Sequence, residues 1–444
     1  YPAMVDMQVK LHTTDTAINA SLCVFIFVTA FFPLLWTTLA ERYGSRPIYL
    51  ISILICLVAN ICCAISVNIA MFIAFQAISA IGSSSIATIG GGIIAKRYAH
   101  YCILFYLISS NIFEPHQRGR AFSYYNSGVL IGPSFSPIIG GYLNQGFGWR
   151  SIFWFLSIVA LCIWFGILLI LPETKRPPSG ESKKTNVQEE YMSTQEEESS
   201  SSKVTANSNQ EKKKLNLNGL LGPLRFFRFL NVPLGAVFIG ILFFTWYIIN
   251  VNFARIYTYQ YGLDSGTVGL CYLPLVFGSV LGGITGGKCS DATYKKQMEK
   301  VKNKDDGIPA EVRLRNPIYF ASIIVSLFSL IAYGVCIQMN VHYAAGLVCI
   351  FFIGFFLVIP NVTTTTYLMD CFSRQSSAVL ACSNLIRYVM GGIGSLVASD
   401  IQKVFGPAIL YAVCGGIVVL VSGNIIIILI NGKKWGIQRK EAGI

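Results

Sequence analysis

The sequence predicts an all-α integral membrane protein. Hydrophobic residues make up 54% of the 444 residues and charged residues only 12%, about half the charged fraction of a soluble domain. The apolar residues also occur in blocks of about 20 or more, the length that a helix needs to cross a hydrocarbon core of ~30 Å. In lipid such a block must be helical, because no water satisfies its backbone N–H and C=O groups.

Eleven such blocks follow one another along the chain. Five precede a long polar segment and six come after it. The predicted spans are Ile18 to Ala40, Ile48 to Val67, Ile69 to Ala95, Ala121 to Leu143, Ile152 to Leu171, Val232 to Val251, Val268 to Gly287, Ile318 to Gln338, Ala344 to Met369, Ser377 to Ala398 and Ala408 to Ile430.

Between the fifth and sixth blocks the composition changes abruptly to Lys, Glu, Ser and Asn. Such a segment cannot bury enough apolar surface to fold, so we expect a disordered linker at 173–231. It separates a first half at 1–172 from a second half at 232–431, and 432–444 forms a tail. Because a fold of two pseudo-symmetric six-helix halves needs an even number of spans, we expect one more helix upstream of Tyr1.

The basic residues fall almost entirely on one side of the predicted spans. If the loop after the first span is internal, that side holds 29 of the 34 Lys and Arg, and the other side holds Lys10, Arg150, Arg255 and Lys403. Only Arg387 lies inside a span. The positive-inside rule therefore places the linker and the C-terminus in the cytoplasm. The net charge of +13 follows from this topology, and we expect no nucleic-acid partner.

The sequence contains no pattern that predicts an enzyme. The four histidines are scattered at span ends rather than paired with acidic groups at helical spacing. The 13 cysteines show no metal-type pairing apart from the adjacent Cys62 and Cys63, and we interpret them as small packing residues. We therefore expect neither a cofactor nor a metal. The number of spans also excludes a seven-helix receptor.

A short charged turn follows the first predicted span. Its glycine permits a tight turn, and its acidic residue can pair with a base from another loop on the same side. In the second half, Gly287 stands four positions before Asp291 at the corresponding place after a span. The residues of the first turn are Glu41, Arg42, Gly44 and Arg46.

The fourth predicted span carries a small residue at every fourth position. Spacing by four places these residues on one helix face, where another helix can approach closely, and prolines bend the helix without adding bulk. We expect this face to pack against a helix of the other half. The small residues are Gly128, Gly132, Ser136 and Gly140, flanked by Pro133, Pro137 and Gly141.

These motifs resemble those of the drug:proton antiporters of the major facilitator superfamily. The charged turn is similar to the loop signature of the superfamily, and the small-residue face is similar to its antiporter motif, with Ser136 where the family has glycine. The segments 286–291 and 384–387 are similar to the quinidine-resistance subgroup of the fungal 12-spanner family. The resemblance implies twelve helices in the major facilitator fold, a plasma-membrane location and proton-coupled export of small amphipathic or cationic compounds. We expect a monomer.

Residues 96–111 interrupt the resemblance. The third predicted span ends at Ala95 without the aspartate of the family, and similarity resumes at Ile112. We interpret the block as a translated intron or an insertion, and the absent first helix as having the same origin in the gene model. Two alternatives to an exporter stay open: a proton-coupled symporter that imports a nutrient or siderophore, and a transporter gene model without function.

Arg387 is the strongest candidate for a functional side chain. Burying an arginine in a span costs at least ~2.5 to 3.5 kcal/mol, so we expect it to face a central cavity or a polar neighbour such as Asn384. No Asp or Glu lies inside a predicted span. Proton coupling must then use carboxylates near span ends or on the absent helix, or it is lost. Further cavity candidates, for which helix–helix contact or interfacial anchoring is the alternative, are Gln76, Asn126, Trp246, Tyr272 and Asn361.

Overall fold

The computed structural model describes residues 2–85, 135–170, 222–300, 310–372 and 376–441. The first half contains α1 (Met4–Lys10), α2 (Asp15–Tyr43), α3 (Ser45–Ala64), α4 (Ile69–Ser85), α5 (135–147) and α6 (Arg150–Ile170). The second half contains α7 (Asn231–Tyr259), α8 (Ser265–Cys271), α9 (Leu273–Lys300), α10 (Pro317–Gln338), α11 (Tyr343–Cys371), α12 (Ser376–Val421) and α13 (Gly423–Glu441), with 3-10 helices at Gly222–Arg228 and Ala310–Arg315. The predicted block 96–111 and the candidate residues Asn126, Gly128, Gly132 and Pro133 lie outside the described residues.

The helices agree with the predicted spans as far as the described residues reach. Eight helices in these ranges are long and apolar enough to cross a membrane. One of these apolar stretches, Ala378–Gly432, covers most of α12 and the beginning of α13. It has 55 residues, far more than one crossing needs. It breaks at Gly406, where φ is +77° and Pro407 follows, a conformation that glycine adopts readily and other residues avoid. Its two parts correspond to the last two predicted spans.

The helix boundaries have local causes in the sequence. The side chain of Thr14 caps α2 by accepting a hydrogen bond from the backbone N–H of Ala17 at 3.3 Å. At the other end Gly44, with φ of +95°, lets the chain turn into α3. α10 begins similarly, because Asn316 caps its first turn and Pro317 occupies a first-turn position where its missing N–H costs nothing.

The core of the second half is rich in aromatic residues. The rings of Phe253 and Tyr257 stack with centroids 4.1 Å apart, and Tyr272 meets Phe253 edge to face at 4.5 Å. All three side chains are fully or almost fully buried. Such ring pairs add ~0.5 to 1.5 kcal/mol each beyond the area that they bury, so the second half has a rigid interior on which a site can be built.

The second half begins earlier than the sequence predicted. The 3-10 helix Gly222–Arg228 lies inside the predicted linker, yet Phe226 is only 5% exposed. Its ring meets Phe372 edge to face at 5.4 Å, and Phe229 packs on the same ring at 5.5 Å. The prediction of a disordered linker up to 231 is therefore wrong for its last residues, because these aromatic side chains bury themselves against the end of α11.

The halves meet first along α2 and α12. Phe27 of α2 lies against Gly392 of α12, where an added Cβ would come within 2.9 Å of the phenyl ring. Further along, the Asn19 Nδ2 donates to Ser399 Oγ at 3.0 Å between two buried side chains. Thr16 then donates to Asp400 at 3.2 Å. The contact thus changes from apolar to polar towards the beginning of α2.

A second contact, between α5 and α8, joins the halves at the end of the bundle where α2 begins. A Cβ added to Gly141 would lie 2.4 Å from the backbone oxygen of Ser265, and one added to Gly269 would lie 2.5 Å from the oxygen of Pro137. Asn144 donates to the Ser265 hydroxyl at 2.9 Å. The backbones therefore touch where only glycine fits.

The face that makes this contact differs from the predicted one. We expected Ser136 and Gly140 to meet the other half, but Ser136 is exposed and the nearest neighbour of a Cβ at Gly140 is Ile152, in the same half, at 3.9 Å. Consecutive helical residues point about 100° apart. The contact is made by the flanking Pro137 and Gly141 instead.

This arrangement predicts unequal effects of alanine at two adjacent glycines. Gly141→Ala should destabilise the closed contact by ~1 to 3 kcal/mol, the usual cost of overpacking, because the backbone of Ser265 blocks the new methyl group. Gly140→Ala is the matched control, since it brings the same gain in helix propensity and its new methyl group makes only ordinary van der Waals contact with Ile152, at 3.9 Å. The measurement is the thermal unfolding midpoint of each purified variant in nanodiscs. Equal midpoints for the two variants would contradict the contact.

Candidate functional site

Arg387 lies near the middle of the first part of α12, among neutral side chains from two other helices. Its Nη2 donates to Asn361 Oδ1 at 3.4 Å and to Thr365 Oγ1 at 3.2 Å, both on α11. The guanidinium also lies over the ring of Phe243 of α7, 4.7 Å from the centroid, a favourable cation–π geometry. We call Arg387 with Phe243, Asn361, Thr365 and Asn384 the arginine centre.

No carboxylate neutralises Arg387 in the described part of the chain. The ion pairs of the described residues are formed by lysines and by arginines other than Arg387, and the predicted spans contain no Asp or Glu. The Nε of Arg387 has no hydrogen-bond partner, and the same holds for the Oδ1 of Asn384 one turn earlier. An arginine inside a membrane normally faces a partner or a water-filled space. The centre therefore keeps unused hydrogen-bonding capacity.

Aromatic side chains line one side of the arginine centre. Phe243 lies 6.4 Å from Tyr247 on its own helix and 6.4 Å from Tyr388 on α12, the latter edge to face. Gly391 makes room for Tyr247, because a Cβ there would come within 2.7 Å of the ring. The centre thus combines one cation with an apolar aromatic wall.

The contacts described for the other two aromatic candidates do not involve Arg387. Tyr272 is 2% exposed, and its hydroxyl donates to the backbone oxygen of Asn250 at 2.7 Å. It belongs to the core of the second half rather than to an open cavity. Trp246 is partly buried, and its backbone oxygen accepts from Asn250 Nδ2 at 2.8 Å.

Gln76 lines a different cavity, inside the first half. Its Oε1 accepts a hydrogen bond from the Cys63 thiol at 3.6 Å. The cavity measures about 280 Å³ and is also lined by Asn60 and Ser79, which hydrogen-bond to each other at 2.9 Å. Of the polar span residues predicted, the structure therefore brings Asn361 into hydrogen-bond contact with Arg387, while Asn384 lies one turn earlier on the same helix without a described bond to it and Gln76 lies elsewhere.

A second charged cluster closes the boundary between the halves, at the start of α2. Asp15 Oδ1 lies 3.6 Å from the Nε of Arg255, and its Oδ2 pairs with Lys403. Arg255 also donates to the backbone oxygen of Asp15 at 3.2 Å and to the hydroxyl of Ser399. We call Asp15, Arg255, Ser399 and Lys403 the charged latch, and the end of the bundle that carries it the latch end.

The latch is buried on one side and open on the other. The side chains of Arg255 and Asp15 are 9% and 13% exposed, whereas Lys403 is 64% exposed. A cavity of about 290 Å³ reaches all three residues. Water at this end can therefore approach the ion pairs without entering the interior.

The latch was not predicted from the sequence. Arg255 was counted as a loop residue, because the predicted span stopped at Val251, and the first predicted span began at Ile18, after Asp15. The structure continues α7 through Arg255 to Tyr259. The apolar pattern beyond Val251 was the available signal, but the pairing of an early acid with a base 240 positions later is visible only in three dimensions.

Comparison with known proteins identifies the family. The model of the Major Facilitator Superfamily matches residues 1–398. The chain belongs to the major facilitator superfamily. The prediction from the loop and small-residue motifs is thereby confirmed, and the all-helical architecture agrees with the major facilitator fold.

The relatives of this superfamily member include fungal exporters. It is 25% identical to citrate exporter 1 of Aspergillus niger, over 98% of this chain and 82% of the relative. It is 30% identical to multidrug transporter DTR1 of Candida glabrata, over 98% of this chain and 81% of the relative. Both agree with the fungal branch that the sequence predicted.

A solved structure shows the same fold. The crystal structure of a mutant of the nucleoside transporter NupG matches with a TM-score of 0.60 at 13% identity, over 96% of this chain and 94% of that chain. At this identity the likeness concerns the fold alone.

The first loop motif of the superfamily lies at the end opposite the latch. Gly44 makes the turn between α2 and α3, and Arg46 Nη2 donates to the backbone oxygen of Leu168 at the end of α6, at 2.8 Å. Glu41 and Arg42 belong to the last turn of α2, and their side chains lie outside the described part. We call this end the loop-motif end.

The corresponding motif of the second half forms a cluster around one arginine. Arg313 Nη1 pairs with Asp291 Oδ1 at 2.6 Å, and its Nε pairs with Asp370. Burial disfavours the charged guanidinium, but the hydrogen bonds with Asp291 and Asp370 outweigh it and raise the pKa of Arg313. Gly287 faces open space. Asp291 thus behaves as the sequence predicted for an acid of this motif, pairing with a base from another segment.

The latch leads to a prediction about access from its own end. Asp15→Asn removes both ion pairs and leaves Arg255 buried without its ion-pair partner, so the halves should separate more often there. In a cysteine-depleted background, Ser399→Cys should then react severalfold faster with a membrane-impermeant maleimide. Asp6→Asn is the matched control, because Asp6 pairs with Lys10 inside α1 at 3.1 Å. Equal labelling rates for the two variants would contradict a latch function.

Proposed function

We propose that the chain is a plasma-membrane exporter of small molecules that works by proton-coupled alternating access. Its arginine centre binds the substrate, and the charged latch with the α5–α8 contact is one of two gates. Alternating access requires two states that open the same site to opposite sides in turn. The proposal is supported by a binding centre inside the membrane together with breakable contacts between the halves at one end.

The position of the latch relative to Arg387 is the observation that carries the proposal. Ser399 follows Arg387 by twelve residues on α12, which corresponds to ~18 Å along a helix. That distance is more than half the hydrocarbon thickness of ~30 Å. The arginine centre therefore lies near the membrane middle, and the hydrogen bonds and ion pairs described above between the halves lie between it and one surface.

The basic residues give the direction. They favour a cytoplasmic loop-motif end and C-terminus, which puts the latch at the exterior. The described arrangement then corresponds to a state closed towards the outside. A substrate from the cytoplasm would enter from the loop-motif end, bind at Arg387 and leave after the latch separates.

The relatives and the motif support export over import. Citrate exporter 1 and multidrug transporter DTR1 are named for export or drug transport. Proton coupling is supported by the resemblance of the 128–141 segment to the antiporter motif. A proton-coupled symporter that imports a nutrient is the second candidate, because the same two-gate architecture serves movement in either direction.

An accumulation assay separates these functions. The chain is expressed in yeast lacking its own plasma-membrane exporters, and cells are loaded with labelled citrate or a fluorescent dye. We expect lower retention of at least one compound than in vector-only cells, and loss of that difference when a protonophore is added. Higher accumulation of every transported compound would instead identify an importer and contradict the proposal.

Two arginine variants control this assay at equal surface levels. Arg387→Gln should lose most of the export, because the cation at the binding centre is gone. Arg150→Gln should retain it, since Arg150 lies over Trp149 and hydrogen-bonds to the backbone of Ser66 within the first half. Full export by Arg387→Gln would show that the substrate path avoids the arginine centre.

A further inference from the structure

We infer that the arginine centre selects organic anions, in particular carboxylates attached to an apolar or aromatic body. This inference rests on the proposed function, since it names the substrate class of the same site. It differs from the expectation of cationic compounds that the family resemblance implied. Four features of the described residues carry it.

The first feature is the charge of the site. Arg387 is charged at every physiological pH, and none of its described contacts supplies a negative charge. A cationic substrate at this point would meet uncompensated repulsion in a medium of low dielectric constant. An anion would supply the missing counter-charge.

The second feature is the free hydrogen-bonding geometry. Both described hydrogen bonds of Arg387 leave from Nη2, while Nε has no partner. A guanidinium binds a carboxylate through two parallel N–H groups. Arg387 as a whole is only partly buried, but its Nε is shielded from solvent, so a ligand reaches this N–H group only when the surrounding helices move apart.

The third feature is the way in which the protein orients the guanidinium. Thr365 donates its own proton to the backbone oxygen of Asn361 at 2.8 Å, so its oxygen is left to accept from Arg387. The Oδ1 of Asn361 also accepts from Arg387, and its amide N–H groups therefore remain as donors. Two neutral acceptors hold the cation in place without cancelling its charge.

The fourth feature is the contrast with the other buried arginine of the spans. Arg255 has the carboxylate of Asp15 beside it and Lys403 adds a further partner to that carboxylate. Arg387, deeper in its span, has none in the described part. The chain supplies a permanent counter-charge where it closes a gate and leaves one out where a ligand binds.

The aromatic wall determines the body of the ligand. Phe243 lies 6.4 Å from both Tyr247 and Tyr388, and these two ring pairs stand beside the cation. An aromatic or apolar group attached to a carboxylate would bury its surface there. A carboxylate without such a body would gain the ion pair alone and bind more weakly.

Binding to the purified protein tests this inference with two probes of the same shape and opposite charge. The probes are 4-phenylbutyrate and 4-phenylbutylamine, and affinity is measured by isothermal titration with protein in nanodiscs without a proton gradient. We expect the carboxylate to bind at least about tenfold more tightly than the amine. A factor of this size corresponds to the affinity that one charge-assisted hydrogen bond contributes. An amine that binds as tightly or more tightly would overturn the inference.

Asn361→Asp is the decisive variant, because it keeps the shape of the side chain. It places a carboxylate beside Arg387, where Asn361 Oδ1 already lies 3.4 Å from Nη2. The unliganded protein should unfold at a higher temperature, and the affinity for 4-phenylbutyrate should fall by about tenfold or more. Asn431→Asp near the end of the second half adds the same charge away from the centre and should change neither quantity.

These outcomes are separable from those of the proposed function. Titration requires neither transport direction nor coupling, so a protein that binds 4-phenylbutyrate but fails to lower its accumulation in cells contradicts only the exporter proposal. A protein that exports dyes while Asn361→Asp binds the carboxylate as well as the unaltered chain contradicts only the anion inference. Arg387→Gln provides a second test by titration, since this variant should also bind 4-phenylbutyrate more weakly than the unaltered chain.

Discussion

Asp15 and Arg255 form an ion pair across the boundary between the two halves, and breaking this pair inside the membrane costs free energy. Both side chains are largely buried, and removing one partner of a buried ion pair typically costs on the order of 3 to 5 kcal/mol. Closure at the latch end therefore depends on the pair being intact. The glycine contact between α5 and α8 and the α2–α12 contact form in the same arrangement as the latch.

The latch also explains how the chain distributes charge within its spans. Arg255 is compensated by a residue of the other half, so its stability is tied to one conformation. The partners of Arg387 among the described residues are all neutral and belong to the second half, so these contacts do not depend on closure. In the proposed mechanism, Arg255 responds to the conformation and Arg387 responds to the bound substrate, so the gate and the binding site use separate charges.

Much of the fold was predictable from the sequence, because the bilayer imposes the length and helicity of each span. α10 begins one residue before its predicted start and ends at the predicted Gln338. The α5–α8 contact was predictable in kind but not in register: the pattern indicated Gly140, whereas Gly141 makes the close approach. Arg387 was identifiable as a lone charge, but its partners Phe243 and Thr365 come from distant helices and carry no local signal. Asp15 and Arg255 were missed for the same reason.

Alternating access controlled by the latch is tested most directly by measuring distances at both ends of the bundle in the same protein. Spin labels at Phe147 and Val404, which are 82% and 75% exposed, report the latch end, and labels at Tyr43 and Lys434 report the loop-motif end. Pulsed electron–electron double resonance measures both distances in the unaltered chain and in Asp15→Asn. We expect the variant to show a longer distance at the latch end together with a shorter distance at the loop-motif end. Distances that change in the same direction, or that do not change, would contradict alternating access controlled by the latch.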